Sequence, residues 1–221
     1  MLVIDAKIPT RNLPIRRVLP KLFQSFVYRQ LDPKEHEGYS LPNGKKFKSM
    51  NFKIAYVGNE IKIKYSALDK ENEKSVAMAI LKEGLKLGEI HIASTEISLI
   101  DRTQKITSPC KVKGFIAAAI KDGTSNKKIY LEPKTHKFQE IIHTHTLQKY
   151  QALKGREYSH ELRIELLSQQ PKPRIFHYNR GSIKAWHGVY EIEADEEMVE
   201  MILNTGIGAH AMQGLGFVEV I

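Results

Sequence analysis

Apolar and polar positions along this chain change period several times, and each change predicts an element. LVIDAKI alternates with period two, as a half-buried strand does, and VLPKLFQSFVYRQL then sets Leu19, Leu22, Phe23, Phe26, Val27 and Leu31 at helical spacing. Pro20 suits a first helical turn and Pro33 closes the element. FKSMNFKIAYV and EIKIKYSAL alternate as two strands, with Gly58 and Asn59 as the turn between them. ENEKSVAMAILKEGLKL predicts a helix and EIHIASTEISLI a returning strand, so the order is β-α-β-β-α-β, a ferredoxin-like arrangement.

The second half follows the same order. KVKGFIAAAI reads as a strand, HKFQEIIHTHTLQKYQAL as a helix, HELRIELL as a strand and RIFHYNRGSIKAWHGVYEIE as a long strand or hairpin. Asp195 caps a short helix, EEMVEMILN, and GLGFVEVI is the last strand. The expected fold class is therefore α+β, with two tandem ferredoxin-like domains at 1–105 and 106–221. The polar segment from Asp101 to Pro109 connects them.

Composition narrows the function classes. No apolar run approaches the roughly 18 residues of a membrane span, and MLVIDAKIPTRN reads as a first strand rather than a signal peptide. The single cysteine, Cys110, excludes an internal disulfide and fits a reducing, cytoplasmic setting. The net charge of +9 is unevenly spread: residues 111–190 hold fifteen Lys and Arg against six acids, whereas 191–221 hold seven acids and no Lys or Arg. Leu166 to Tyr190 has no carboxylate but carries Lys172, Arg174, Arg180 and Lys184, interleaved with Phe176, Tyr178 and Trp186. Cations among aromatic rings suit a single-stranded nucleic acid, which offers phosphates and flat bases; a solvated strand face is the alternative.

The closing stretch, TGIGAHAMQGLGFVEVI, places Gly206, Gly208, Gly214 and Gly216 between the last helix and the last strand. Glycine is favoured where φ is positive or where backbones approach closely. A dinucleotide loop would need a strand before it and a helix after it, the reverse of the order here. The pattern resembles the C-terminal glycine-rich signature of the CRISPR-associated RAMP superfamily, in its branch of repeat-processing endoribonucleases. The resemblance extends through SFVYRQLD, HEG and KKFKSMNF, through YLEP and LQKYQALKG, and through SIKAWHGVYEIEAD. It implies tandem ferredoxin-like domains, CRISPR repeat RNA as ligand and cleavage without a metal or cofactor. It also implies association with other CRISPR-associated proteins of an effector complex or a homodimer, and no membrane. Many members carry Lys or Arg between the glycine pairs, where this chain has Ala209, His210, Ala211, Met212 and Gln213.

Metal-free RNA cleavage needs a base for the attacking 2′-hydroxyl, an acid for the departing 5′-oxygen and a positive group for the phosphorane. The resemblance assigns these roles to His36, Tyr28 and Lys48, and RNA binding to the four glycines with His210. At 100° per residue Tyr28 lies about 150° from the centre of its helix's apolar stripe and so faces away from that helix's core. His36 falls on an expected loop, and imidazole is the side chain whose intrinsic acidity suits proton transfer in either direction near neutral pH. Lys48 begins an alternating strand in the parity of Met50 and Phe52, at the rim of that face, with Lys45 and Lys46 close by. His143 and His145, two apart on a helix, point about 200° from each other and cannot chelate one ion, so no metal site is expected.

Overall fold

The computed structural model describes residues 1–8, 17–92, 95–101, 107–125, 127–178 and 181–221. In chain order the first half holds β1 (Leu2–Lys7), α1 (Leu19–Tyr28), α2 (Pro33–Glu37), β2 (Tyr39–Ser40), β3 (Lys46–Phe47), β4 (Met50–Val57), β5 (Glu60–Ala67), α3 (Lys70–Glu83), β6 (Leu85–Leu87), β7 (Ile90–Ile92) and β8 (Thr95–Leu99). The second holds β9 (Cys110–Ile116), β10 (Ala119–Lys121), β11 (Lys128–Tyr130), α4 (His136–Lys154), β12 (Arg163–Leu166), β13 (Lys172–Tyr178), β14 (Gly181–Glu193), α5 (Glu196–Thr205) and β15 (Val218–Val220), with a 3-10 turn at Ala211–Gln213.

The protein is a mixed α+β fold with two antiparallel sheet regions. One runs β4-β5-β1-β8; the other runs β12-β14-β9-β15, with β13 also paired to β14. In both, the opening strand is central, and it is accordingly apolar: Leu2 and Ile4 in β1, and Val112 and Ile116 in β9, are fully buried. Helix starts follow the capping chemistry of the sequence. The Asp69 side chain accepts from Glu71 N at 2.9 Å, Thr135 from Phe138 N at 3.3 Å, and Asp195 from Met198 N at 2.9 Å.

Four segments differ from the sequence reading, each for a local reason. The helix over ENEKSVAMAILKEGLKL stops at Glu83 because Gly84 takes φ +71, and β6 then doubles back to pair with β7. EIHIASTEISLI is therefore two strands, β7 and β8, in two different sheets. KVKGFIAAAI also divides: β9 ends at Ile116, and Ala119–Lys121 pairs with β11 in a separate hairpin. Finally, the segment carrying His36 is the one-turn helix α2 instead of a loop, because the Asp32 side chain accepts from Lys34 N at 2.8 Å and Pro33 sits in the first turn. Of the expected Asp101–Pro109 connection, residues 102–106 lie outside the described residues.

Each sheet has its own core. Phe23, Phe26, Phe52 and Tyr65 build the first with β1, α1 and α3. Phe138, Ile142, Tyr190, Met201 and Ile202 build the second under α4 and α5. The cores also exchange residues: Met212, from the stretch between the glycine pairs, is buried in the first, and Leu68 packs against the second. The glycine-rich segment thus plugs the end of the chain into its beginning.

Candidate functional site

Tyr28 at the end of α1, His36 on α2 and Lys48 in the bend between β3 and β4 come together on one flank of the first sheet. The Tyr28 and His36 ring centroids are 4.6 Å apart, Lys48 Nζ lies 5.2 Å from the Tyr28 ring centroid, and the same ammonium donates to the His36 carbonyl oxygen. His36 is exposed, so its imidazole is open to a ligand. Two details correct the sequence expectation. Tyr28 does not face away from the core: it is half-buried against it, because α2 folds over the end of α1. That burial pushes its phenol up to about 12, so the hydroxyl stays protonated at neutral pH. Lys48 precedes the strand instead of opening it, since β4 begins at Met50. Burial, and then the neighbouring Lys46, lower its ammonium, against the opposing pull of Glu35 and Glu37.

A cavity of about 220 Å³ adjoins Lys48 and is walled by Gln24, Phe47, His145, Lys149, His210 and Gln213, among others. His145 and Lys149 share a face of α4 and both lie inside. Burial, then Lys149, pushes His145 down to about 3, and burial alone pushes Lys149 down to about 7. Lys149 Nζ donates to the carbonyl oxygens of Thr205 at 3.1 Å and Gly206 at 2.7 Å, which are orphan acceptors at the end of α5. His210 is held at φ +71 beside Gln213, and burial followed by Lys128 lowers its imidazole. His143 turns the other way, with Nε2 3.1 Å from the Leu162 carbonyl oxygen. Among the described residues no group of three or more His, Cys, Asp or Glu is arranged to hold a metal ion.

The four glycines separate by what surrounds them. A Cβ on Gly206 would lie 1.9 Å from Asn51 Nδ2, on Gly208 2.6 Å from the Ala117 carbonyl oxygen, and on Gly216 2.3 Å from that of Ile207. All three also have positive φ, so at these positions the close backbone approach is to the protein itself. Gly214, at φ +87, has its nearest neighbour, Phe52, at 3.5 Å, and it borders two further hollows of about 330 Å³ each.

Those hollows lie between the two sheets and hold part of the basic stretch. Arg174 stacks over Phe176 at 5.2 Å and Phe115 at 5.8 Å, and Phe115 meets the His187 ring at 5.0 Å. Lys53 and Lys113 line the same wall. Lys184 does not belong to it. The register pairs Arg174 with Ala185 and Lys184 with Ile175, so these two cations stand on opposite faces of the β13–β14 hairpin. Lys184 lies over Trp186 at 4.9 Å instead. Lys172, paired with His187, shares the face of Arg174, and Arg180 lies outside the described residues. Gln213 borders both the Lys48 cavity and one of the inter-sheet hollows, so the two regions adjoin.

Glu219 of β15 sets a carboxylate among the cations of the cleft. It accepts from Lys53 and, at 2.5 Å, from Lys64, two lysines that face each other directly across β4 and β5. Burial works to raise its carboxyl, but the two lysines outweigh it and hold the group below the ordinary carboxylate range.

Solved structures share this architecture. A Cas6-related protein from Pyrococcus furiosus aligns over 100% of this chain and 98% of its own at 17% identity, with a TM-score of 0.72. A RAMP protein described as binding different RNA substrates aligns over 100% of both chains at 15% identity, TM-score 0.71. Thermus thermophilus Cse3, bound to an RNA representing a pre-cleavage complex, aligns over 100% of this chain and 98% of its own at 13% identity, TM-score 0.56. No curated protein sequence matches. Residues 94–220 match the family model described as CRISPR associated protein Cas6, C-terminal, and that match spans more than half of the chain. The chain belongs to the Cas6 family of CRISPR-associated RAMP proteins.

Proposed function

We propose that this protein is an endoribonuclease that cuts CRISPR repeat RNA without a metal, by attack of the 2′-hydroxyl on the adjacent phosphate. The products carry a 2′,3′-cyclic phosphate and a 5′-hydroxyl. The observation that carries the reading is the convergence of Tyr28, His36 and Lys48 from three separate segments. His36, exposed, transfers the proton. Tyr28, kept protonated, does not act as a base; its ring lies against His36 and Lys48 and orients them. Lys48 supplies positive charge for the phosphorane. Its amine is lowered but still opposes a developing negative charge wherever it is protonated.

The strand orders support reading the chain as two ferredoxin-like domains, 1–105 and 106–221, since in each the sequence of pairing is second-third-first-fourth. The RNA then tracks the inter-sheet cleft, with phosphates toward Lys53, Lys113, Lys172 and Arg174 and a base against Phe115 or Phe176. The glycine segment carries this path past Gly214 and Gln213 to Lys48.

The test is single-turnover cleavage of an end-labelled repeat RNA in EDTA. Cutting is expected to persist and to stop when one 2′-deoxynucleotide is placed just upstream of the scissile bond, with binding retained. His36→Ala is expected to lose about 10² to 10⁴ in rate, the range for a general acid or base. Cleavage that requires Mg²⁺, or that survives the deoxy substitution, would refute the chemistry.

A further inference from the structure

Glu35 takes no part in the chemistry proposed above, yet it is buried beside the groups that do. A carboxylate out of water is costly unless hydrogen-bonded. Glu35 Oε1 accepts from the Tyr39 hydroxyl at 2.8 Å, and Oε2 accepts from the Ser49 hydroxyl. A glutamine could hold two hydroxyls equally well, so the charge itself calls for a reason. Position supplies one. Glu35 precedes His36 and Ser49 follows Lys48, so the Glu35–Ser49 bond draws α2 onto the bend before β4. Lys48 Nζ then reaches the His36 carbonyl oxygen.

We propose that Glu35 is the positioning residue of this site: from inside the fold its Oε2 ties the turn carrying His36 to the bend carrying Lys48 while its Oε1 holds Tyr39 beside that turn, and its charge holds the Lys48 ammonium in place. The proposal rests on the reading of the site given above. The charge acts in the required direction, since Glu35 opposes the burial and the Lys46 repulsion that lower Lys48.

Two substitutions separate geometry from charge. Glu35→Gln keeps an acceptor for Tyr39 and a partner for Ser49 but removes the charge; Glu35→Ala removes both. The first readout needs no RNA: Lys48 is titrated by NMR in protein carrying 13C-labelled lysine, with the signal assigned through Lys48→Arg. Lys48 is expected to titrate at lower pH in Glu35→Gln than in the parent, with the His36 ring signals unmoved. In Glu35→Ala the His36 and Lys48 signals both shift. On repeat RNA, Glu35→Gln moves the alkaline limb of the pH–rate profile to lower pH. Glu35→Ala lowers the single-turnover rate about 10-fold to 10²-fold, the scale of a misplaced reacting group, with Kd changed less than about twofold. A Lys48 titration identical in the parent and Glu35→Gln, or parent-like His36 and Lys48 signals in Glu35→Ala, overturns the proposal. A parent that cuts no RNA refutes the proposed reaction and leaves the NMR result to decide on Glu35. Should Glu35→Ala fail to fold, Ser49→Ala breaks the tie to the bend and is read by the same signals.

Discussion

Lys149 is fully buried and its amine is pushed down to about 7, so its removal has a pH signature that no surface lysine would give. The free side chain titrates near 10.4. Between these two values the folded protein binds fewer protons than the unfolded chain. Stability from this site is therefore lowest below pH 7 and rises as pH climbs through the window. From pH 6 to pH 8.5 the gain works out at about 2 kcal/mol for one such group. Lys149→Met abolishes that gain. It also leaves the Thr205 and Gly206 carbonyls without their donor, at a pH-independent cost of about 1–3 kcal/mol, offset by the relief of a desolvated amine. The stability difference between parent and variant is thus expected to widen by about 2 kcal/mol between pH 6 and pH 8.5, in favour of the parent. Urea unfolding followed by Trp186, the sole tryptophan and a buried one, measures it. Titrations remote from Lys149 are common to both proteins and cancel, and His145, which Lys149 helps to lower, is still held down by its burial in the variant. Curves that stay parallel across that range would show that Lys149 is charged in the fold and refute the reasoning.

Arg174→Ala is expected to weaken RNA binding and flatten its salt dependence, whereas Lys184→Ala, on the opposite face of the hairpin, leaves both nearly unchanged; a larger effect at Lys184 would place the RNA outside the cleft. Gly216→Ala is expected to destabilise the fold by more than 2 kcal/mol, roughly the scale of a strained backbone and a forced overlap, because its Cβ would lie 2.3 Å from the Ile207 carbonyl oxygen. Gly214→Ala meets no such obstacle and costs about 1 kcal/mol for its positive φ alone; equal melting temperatures for the two variants would contradict the packing described.

How much of this was legible in the sequence depended on whether a residue's role was local. The alternation of LVIDAKI and EIKIKYSAL, and the cap at Asp195, are decided within a few residues, and the elements formed there. Tyr28, His36 and Lys48 were found through a family resemblance, since nothing in their spacing predicts that three segments meet. Glu35 and Lys149 gave no signal: Glu35 sits in the charged run DPKEHEG, and Lys149 in a helix rich in polar residues. Their partners, Ser49 and Gly206, are supplied by other segments. Arg174 and Lys184 look equivalent as charges in one stretch. Which face each takes depends on the hairpin register, and that register pairs even positions of β13 with odd positions of β14.

Glu219, set between Lys53 and Lys64, gives the molecule an ionic clasp that joins its last strand to its first sheet. All three groups are partly open to solvent, so dissolved ions screen the clasp as they screen phosphate contacts. Rising salt therefore acts twice on the cleft, weakening the hold on a polyanion and loosening the seam along which that polyanion would lie. If RNA follows this seam, its salt dependence then reports the clasp as well as the phosphate contacts. A variant whose seam does not depend on charge separates the two contributions.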